Sequence, residues 1–166
     1  MKIEDNYIDQ EKFDELQNLM LGSDFSWYYN SYIDYKTEKE KEFQFTHTFY
    51  KKHVSTSSFL EKLNPIVDII KPIVIWRIKA NLLTRTPNIV ENAFHVDMHM
   101  SEEKIKQWTT SIFYINTNNG HTKFEDGSIV ESVANRMVTF PANLKHRGTS
   151  CTDEKIRVVI NFNYFK

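Results

Sequence analysis

From Ile73 to the C-terminus the chain changes texture. Short β-branched and aromatic runs follow one another with turn residues between them, and helical periodicity all but disappears. The runs occupy 73–83, 93–100, 108–116, 121–125, 129–131, 137–140 and 156–165, broken only by a short helical stretch at 101–107. Such a segment buries its apolar faces by packing strand against strand, which restricts it to a sandwich or a barrel.

The residues ahead of it read differently. Phe13, Leu16, Leu19 and Met20 recur at helical spacing between a capping Asp9 and a stop at Gly22, which predicts a helix over 10–21. An aromatic segment at 25–30 follows, and then the charge run Thr37-Glu38-Lys39-Glu40-Lys41-Glu42, whose mixed signs suit a solvated loop. Residues 43–50 alternate and read as a strand, and 57–70 reads as a second helix with Phe59, Leu60, Leu63, Val67 and Ile70 on one side, closed by Pro72. Two helices followed by many antiparallel-looking strands predict a mainly β, α+β fold. At 166 residues a single domain over 1–166 is expected, with 1–72 as supporting helices and strand and 73–166 as the core.

Composition removes several functional classes. Lys and Arg total 21 against 22 Asp and Glu, so the chain has no basic footprint for nucleic acid. Only 4 glycines are present, and neither GxxxxGK nor GxGxxG occurs, which disfavours nucleotide-binding folds. Cys151 is the sole cysteine, so no intrachain disulfide or thiolate cluster can form, and a reducing, cytoplasmic setting is expected. Its neighbours Ser150, Thr152 and Asp153 bring no positive charge that would activate it as a nucleophile. The N-terminus has no apolar h-region and no stretch has the length of a membrane span, so no membrane partner is expected.

What remains for chemistry is His95-Val96-Asp97. On a strand, residues two apart share a face, so the imidazole and the carboxylate can reach one ion, with a third ligand from elsewhere. Two His and one carboxylate make the facial triad of non-haem Fe(II) oxygenases, with three positions left open. A chain with 6 His and 22 acids yields about 0.8 such pairs by chance, so the string needs support. Support comes from 156–165, where Ile156, Val158, Ile160, Phe162 and Tyr164 form one apolar face and Arg157, Val159, Asn161 and Asn163 the other. An Arg on a buried central strand needs a partner, either a protein acid or an anionic ligand held by a guanidinium–carboxylate fork.

From about Ile73 onward the chain resembles the Fe(II)/2-oxoglutarate-dependent oxygenase superfamily in its prolyl-hydroxylase-like branch, small phage-type and marine bacterial members in particular. WRIKANL, the HVD pair, TSIFYIN with NNGHTKFEDG, VTFPANLKHRG and KIRVVINFNYF occur in the family's order, and DFSWYYN and FQFTHTFYK are similar to segments of the phage-type proteins. The resemblance implies a double-stranded β-helix, or jelly roll, and a dioxygenase that couples decarboxylation of 2-oxoglutarate by O2 to C–H hydroxylation, releasing succinate and CO2. It implies iron ligands at His95, Asp97 and His146, a clamp on the distal carboxylate of 2-oxoglutarate at Arg157, and a further bond to that carboxylate from Tyr114. Asn161 matches the pocket floor and Asn81 a contact to the cosubstrate. Arg77 and Lys79 share the face of Asn81, where a solvent-facing polar side suits them as well as a pocket does.

One departure stands out. Asn119-Gly120-His121-Thr122-Lys123-Phe124 replaces the Gly-Gly-Glu-Thr before Phe of many prolyl hydroxylases, so the resemblance offers a prolyl, other amino-acid or peptide C–H without fixing it. His99 falls on the face of His95 and Asp97 and reads as a neighbour or rim residue, with ligation as the alternative. His47 and His53 read as structural and His121 as an exposed turn residue. The competing functions are a cupin-like metal enzyme and a non-catalytic jelly-roll binding module. The expected partner is a small-molecule or peptide substrate in the cytoplasm, the host's if the source is viral.

Overall fold

The computed structural model describes residues 1–33 and 43–166, so the charge run at 37–42 lies outside the described residues. In chain order the elements are β1 (Lys2–Glu4), α1 (Gln10–Leu21), β2 (Tyr28–Asn30), β3 (Gln44–Lys51), β4 (Val54–Ser55), a 3-10 turn (Leu60–Leu63) and α2 (Asn64–Ile70). Then come β5 (Val74–Thr84), α3 (Glu102–Ile105), β6 (Thr109–Tyr114), β7 (Asn118–Phe124), β8 (Ile129–Ser132), β9 (Arg136–Pro141), β10 (His146–Gly148) and β11 (Ile156–Phe165). The strands form a large sheet in the order β1-β9-β6-β11-β5-β3-β2, with β4 on β3, and a small sheet in the order β10-β7-β8. The strand pairs within both sheets are antiparallel, and the two sheets enclose the cavity of a jelly roll.

Strand β11 organises this arrangement because it lies between β5 and β6 and is covered on both faces. Val158, Ile160, Phe162 and Tyr164 join Ile78 and Ala80 of β5 and Phe49 of β3 in the main core. That outer face is closed by α1 through Phe13, Leu16 and Met20 and by α2 through Ile66 and Ile70. Val159 points the other way, into a smaller cluster between the sheets with Ile112, Tyr114, Phe124, Val130, Val138 and Phe140. The alternation of β11 therefore sends every second residue to the core and the rest, Arg157 and Asn161 included, toward the cavity.

Local chemistry accounts for the element ends. Asp9 caps α1 by accepting the Glu11 and Lys12 amides at 3.0 and 3.4 Å. The helix expected over 57–70 is divided, and its α-helical part starts at Asn64 with Pro65 in the first turn, where the missing N–H of proline costs nothing. Lys71, left-handed at φ 50, ends it ahead of Pro72. Strands β1 and β10 have three residues each, too few to leave a periodic signal in the sequence. The strand expected at 93–100 is not one: only Glu91 and His95 make isolated bridges, to Thr149 and His146, and the chain bends at Asp97.

Ile160→Ala removes a fully buried side chain from the core face of β11. The expected cost is about 2–5 kcal/mol, read as a drop in the urea unfolding midpoint.

Candidate metal centre

His95 and His146 are placed by the backbone. Each donates its amide N–H to the other's carbonyl at 3.0 Å, the reciprocal pairing that sets two side chains on one side of a sheet. Their rings lie 4.8 Å apart between centroids. The segment carrying His95 is tied to β10 by the Asn92 amide on the Gly148 carbonyl at 3.1 Å. Glu91 adds ion pairs to Lys123 and Arg147, and the Arg147 guanidinium sits 4.2 Å from the centre of the Phe94 ring. Beyond His95 the pairing stops, and the bend turns Asp97 away from the small sheet toward the large one.

There the carboxylate is held from three sides. Oδ1 accepts from Arg77 Nη2 at 3.0 Å, and Oδ2 accepts from the amides of Asn161 at 3.1 Å and Asn163 at 3.0 Å. Arg77 is itself braced by Asn163, whose Oδ1 accepts its Nε–H at 3.1 Å. Ligand atoms of His95, Asp97 and His146 all lie within 4.8 Å of one another.

The protonation states suit a cation. Burial pushes the Asp97 carboxyl up, but Arg77, the two imidazoles and the Asn163 amide outweigh it and hold the group well below the usual carboxylate range. Burial pushes His146 down to about 4 against the pull of Asp97, so its imidazole is neutral. The Nδ1 atoms of His95 and His146 face the carbonyl oxygens of Ala93 at 3.1 Å and Leu144 at 3.4 Å, contacts that an Nδ1–H makes by donating, which turns Nε2 of each ring toward the cluster as the ligand atom. His146 Nε2 is buried without a hydrogen-bond partner among the described residues. A buried acceptor left open beside a second imidazole and an ionised carboxylate is what a divalent metal completes, and the residues present fit one.

The same site opens into a cavity of about 190 Å³ between the sheets, floored by Arg77, Lys79 and Asn81 of β5 and by Arg157, Val159 and Asn161 of β11. Arg157 is buried, and its Nε donates to Ser132 Oγ at 2.8 Å and Nη2 to Thr122 Oγ1 at 3.2 Å. Among the described residues no carboxylate pairs with it, and Nη1 makes no hydrogen bond. Two of the 4 glycines make its room. A Cβ on Gly120 would lie 2.7 Å from Arg157 Cδ and from the Ser150 carbonyl oxygen, and one on Gly148 would lie 3.3 Å from Nη1.

The residues singled out in the sequence fall into three groups. His95, Asp97 and His146 come together, and Arg157, Asn81 and Asn161 line their cavity. Asn161 chiefly orients Asp97, and its own Oδ1 accepts from the Asn81 amide at 3.4 Å. Tyr114 is not at the cavity surface: its hydroxyl donates to Thr122 Oγ1 at 2.8 Å, and Arg157 lies 5.8 Å over its ring, so it buttresses the guanidinium from behind. His99 is exposed at the cavity rim and outside the ligand cluster, because the bend at Asp97 breaks the strand alternation that would have aligned it. His121 lies within β7 and not in a turn, paired in register with Glu131. His47 is bonded to the Ser26 carbonyl and the Ser57 hydroxyl, both at 2.7 Å, amid Phe25 and Phe49. His53 occupies a left-handed turn, and Cys151 is buried.

Four residues were not assigned a role from sequence: Arg77 and Asn163, which hold Asp97, and Thr122 and Ser132, which hold Arg157. The spacing-two faces of β5 and β11 already carried the signal for the first pair. Gly120 and Thr122, the two residues of Asn119-Gly120-His121-Thr122 that agree with the Gly-Gly-Glu-Thr pattern, are the ones that meet Arg157.

No family model and no curated protein matches this chain. Solved structures do. The viral collagen prolyl hydroxylase vCPH from Paramecium Bursaria Chlorella virus-1 superposes with a TM-score of 0.62 at 11% identity, over 99% of this chain and 95% of that one. A prolyl-4-hydroxylase from Pseudomonas putida gives 0.63 at 10%, over 99% and 91%. The non-heme alpha-ketoglutarate-dependent epimerase SnoN from nogalamycin biosynthesis gives 0.66 at 12%, over 99% and 76%. The fold is that of the 2OG-Fe(II) oxygenases, in the form seen in prolyl hydroxylases.

The charge state of His146 has a measurable consequence. Its folded value of about 4 lies below the ordinary 6.5, so as pH falls the unfolded chain takes up the proton first. Chelator-treated protein is expected to keep full stability above pH 6.5 and to lose about 3 kcal/mol from this group as pH falls from 6.5 to 4. Urea midpoints measured across that window check it, and His146→Gln is expected to flatten the slope. Asp97 contributes its own loss only at pH values below its ordinary 3.8.

Proposed function

We propose that the protein is an Fe(II)- and 2-oxoglutarate-dependent oxygenase. The observation that carries this reading is the pairing, in one cavity, of a His–Asp–His cluster with a buried, open Nε2 and a buried arginine that has no acid partner among the described residues. A metal answers the first and a carboxylate the second, and 2-oxoglutarate joins them as a dicarboxylate with a metal-chelating end.

His95 and His146 would hold the ion through neutral Nε2 atoms and Asp97 through an ionised oxygen. When bound, ferrous iron couples reduction of O2 and oxidative decarboxylation of 2-oxoglutarate to oxidation of a substrate C–H bond, with succinate and CO2 as coproducts. Arg77, Asn161 and Asn163 fix the carboxylate so that metal binding needs little reorganisation. Arg157, aimed by Ser132 and Thr122, receives the distal carboxylate, and Leu83, Ile112 and Val159 keep that end of the cavity dry. The substrate class offered by the resemblance is a prolyl, other amino-acid or peptide C–H.

Purified protein with Fe(II) and 2-oxoglutarate is expected to form succinate in an O2-dependent manner, with the substrate sought among prolyl peptides, free amino acids and nucleosides. His146→Ala is expected to abolish turnover. Arg157→Ala is expected to weaken 2-oxoglutarate binding by about 1.5–3 kcal/mol, the worth of a charged hydrogen bond, seen as a raised KM for 2-oxoglutarate. Normal turnover in the first variant or an unchanged KM in the second contradicts the reading.

A further inference from the structure

Lys79 lines the cavity midway along β5, between Arg77 and Asn81. Among the described residues it makes no hydrogen bond and no ion pair, although it is half-buried. The other two cavity cations have work. Arg77 is spent on Asp97 and Asn163, and Arg157 is aimed by Ser132 and Thr122 at the far end of the floor. In register, Lys79 stands opposite Asn161, whose amide holds Asp97, whereas Arg157 stands opposite Leu83. Four residues of strand put these cations about 13 Å apart along the floor. On its other side Lys79 is opposite Thr48 of β3, and the cavity runs on to Gln44 and Ile33.

A partly desolvated ammonium without a counter-ion is costly, and the local balance does not relieve it. Among the described residues Asp97 is the one acid that lines the cavity, and it already serves Arg77 and the ligand cluster. A divalent ion and a dianionic cosubstrate, the occupants of the oxygenase reading, still leave the site positive. Burial and the neighbouring Arg77 push the Lys79 ammonium down to about 8, which a nearby anion would reverse.

Resting on that reading, we propose that Lys79 is a substrate-recognition residue and that the substrate carries a carboxylate or phosphate, which it places on the β3 side of the metal centre. Arg157 and Lys79 then divide the anions, cosubstrate at one end and substrate at the other. A point-charge ammonium suits either anion, since it imposes no planar fork geometry.

The test is calorimetry on the Mn(II) form without O2. In the first arm, 2-oxoglutarate is titrated into wild type and Lys79→Met. In the second, with 2-oxoglutarate saturating, anionic and neutral partners are compared: L-aspartate with L-asparagine, L-glutamate with L-glutamine, and adenosine 5′-monophosphate with adenosine. In at least one pair the anion is expected to bind wild type at least tenfold more tightly than its partner. That preference is expected to fall within twofold in Lys79→Met and to survive in Lys79→Arg, with 2-oxoglutarate affinity moving less than twofold. The pair that responds distinguishes carboxylate from phosphate. Wild type that does not bind 2-oxoglutarate overturns the oxygenase reading itself. With that arm intact, three results overturn the role of Lys79: no pair with an anion preference, a preference that persists in Lys79→Met, or a tenfold loss of 2-oxoglutarate affinity in that variant.

Discussion

The Asp97 carboxylate is the joint between the two sheets. Its backbone belongs to the segment that runs beside the small sheet, and its oxygens are held by Arg77, Asn161 and Asn163 of the large one. Both histidines are fixed by their reciprocal pairing on the small-sheet side, so the distance from them to the carboxylate is set by how the sheets pack. The apolar cluster of Ile112, Phe124, Val138, Phe140 and Val159 between the sheets fixes that spacing. Core packing and ligand geometry are thus one problem here, and the polar grip on Asp97 keeps a charged group buried at tolerable cost.

A second constraint is the space around Arg157. A guanidinium on a central strand has no room unless its neighbours are small, and Gly120 and Gly148 supply that room while Thr122 and Ser132 supply acceptors. Scarcity of glycine therefore carries information: of the 4 glycines, Gly22 ends α1, Gly127 has a positive φ of 87, and the remaining two flank one side chain. With one end of the cavity arranged around Arg157 and the other around Asp97, Lys79 stands between them with no hydrogen bond or ion pair among the described residues.

Much of this was legible in the sequence, for reasons that differ by element. Strand β11 was read with the correct ends because its alternation is long and one face is wholly apolar. His95 and Asp97 were paired on the assumption of a regular strand; they do converge, yet through a bend that local pattern does not encode. The resemblance implies a direct bond from Tyr114 to the cosubstrate, whereas its hydroxyl donates to Thr122, a partner 8 positions along that the turn into β7 brings near. Arg77 and Lys79 looked as suited to solvent as to a pocket, because a polar strand face does not say what stands opposite it; the small sheet does. His146 was placed through resemblance alone, since a three-residue strand has no period to read.

The most direct test of the account is an anaerobic titration of wild-type protein followed by visible absorption. A metal-to-ligand charge-transfer band that develops only when Fe(II) and 2-oxoglutarate are both present is the result expected if His95, Asp97 and His146 hold the ion and 2-oxoglutarate chelates it. A folded protein that shows no such band with both components at saturating concentration would contradict it.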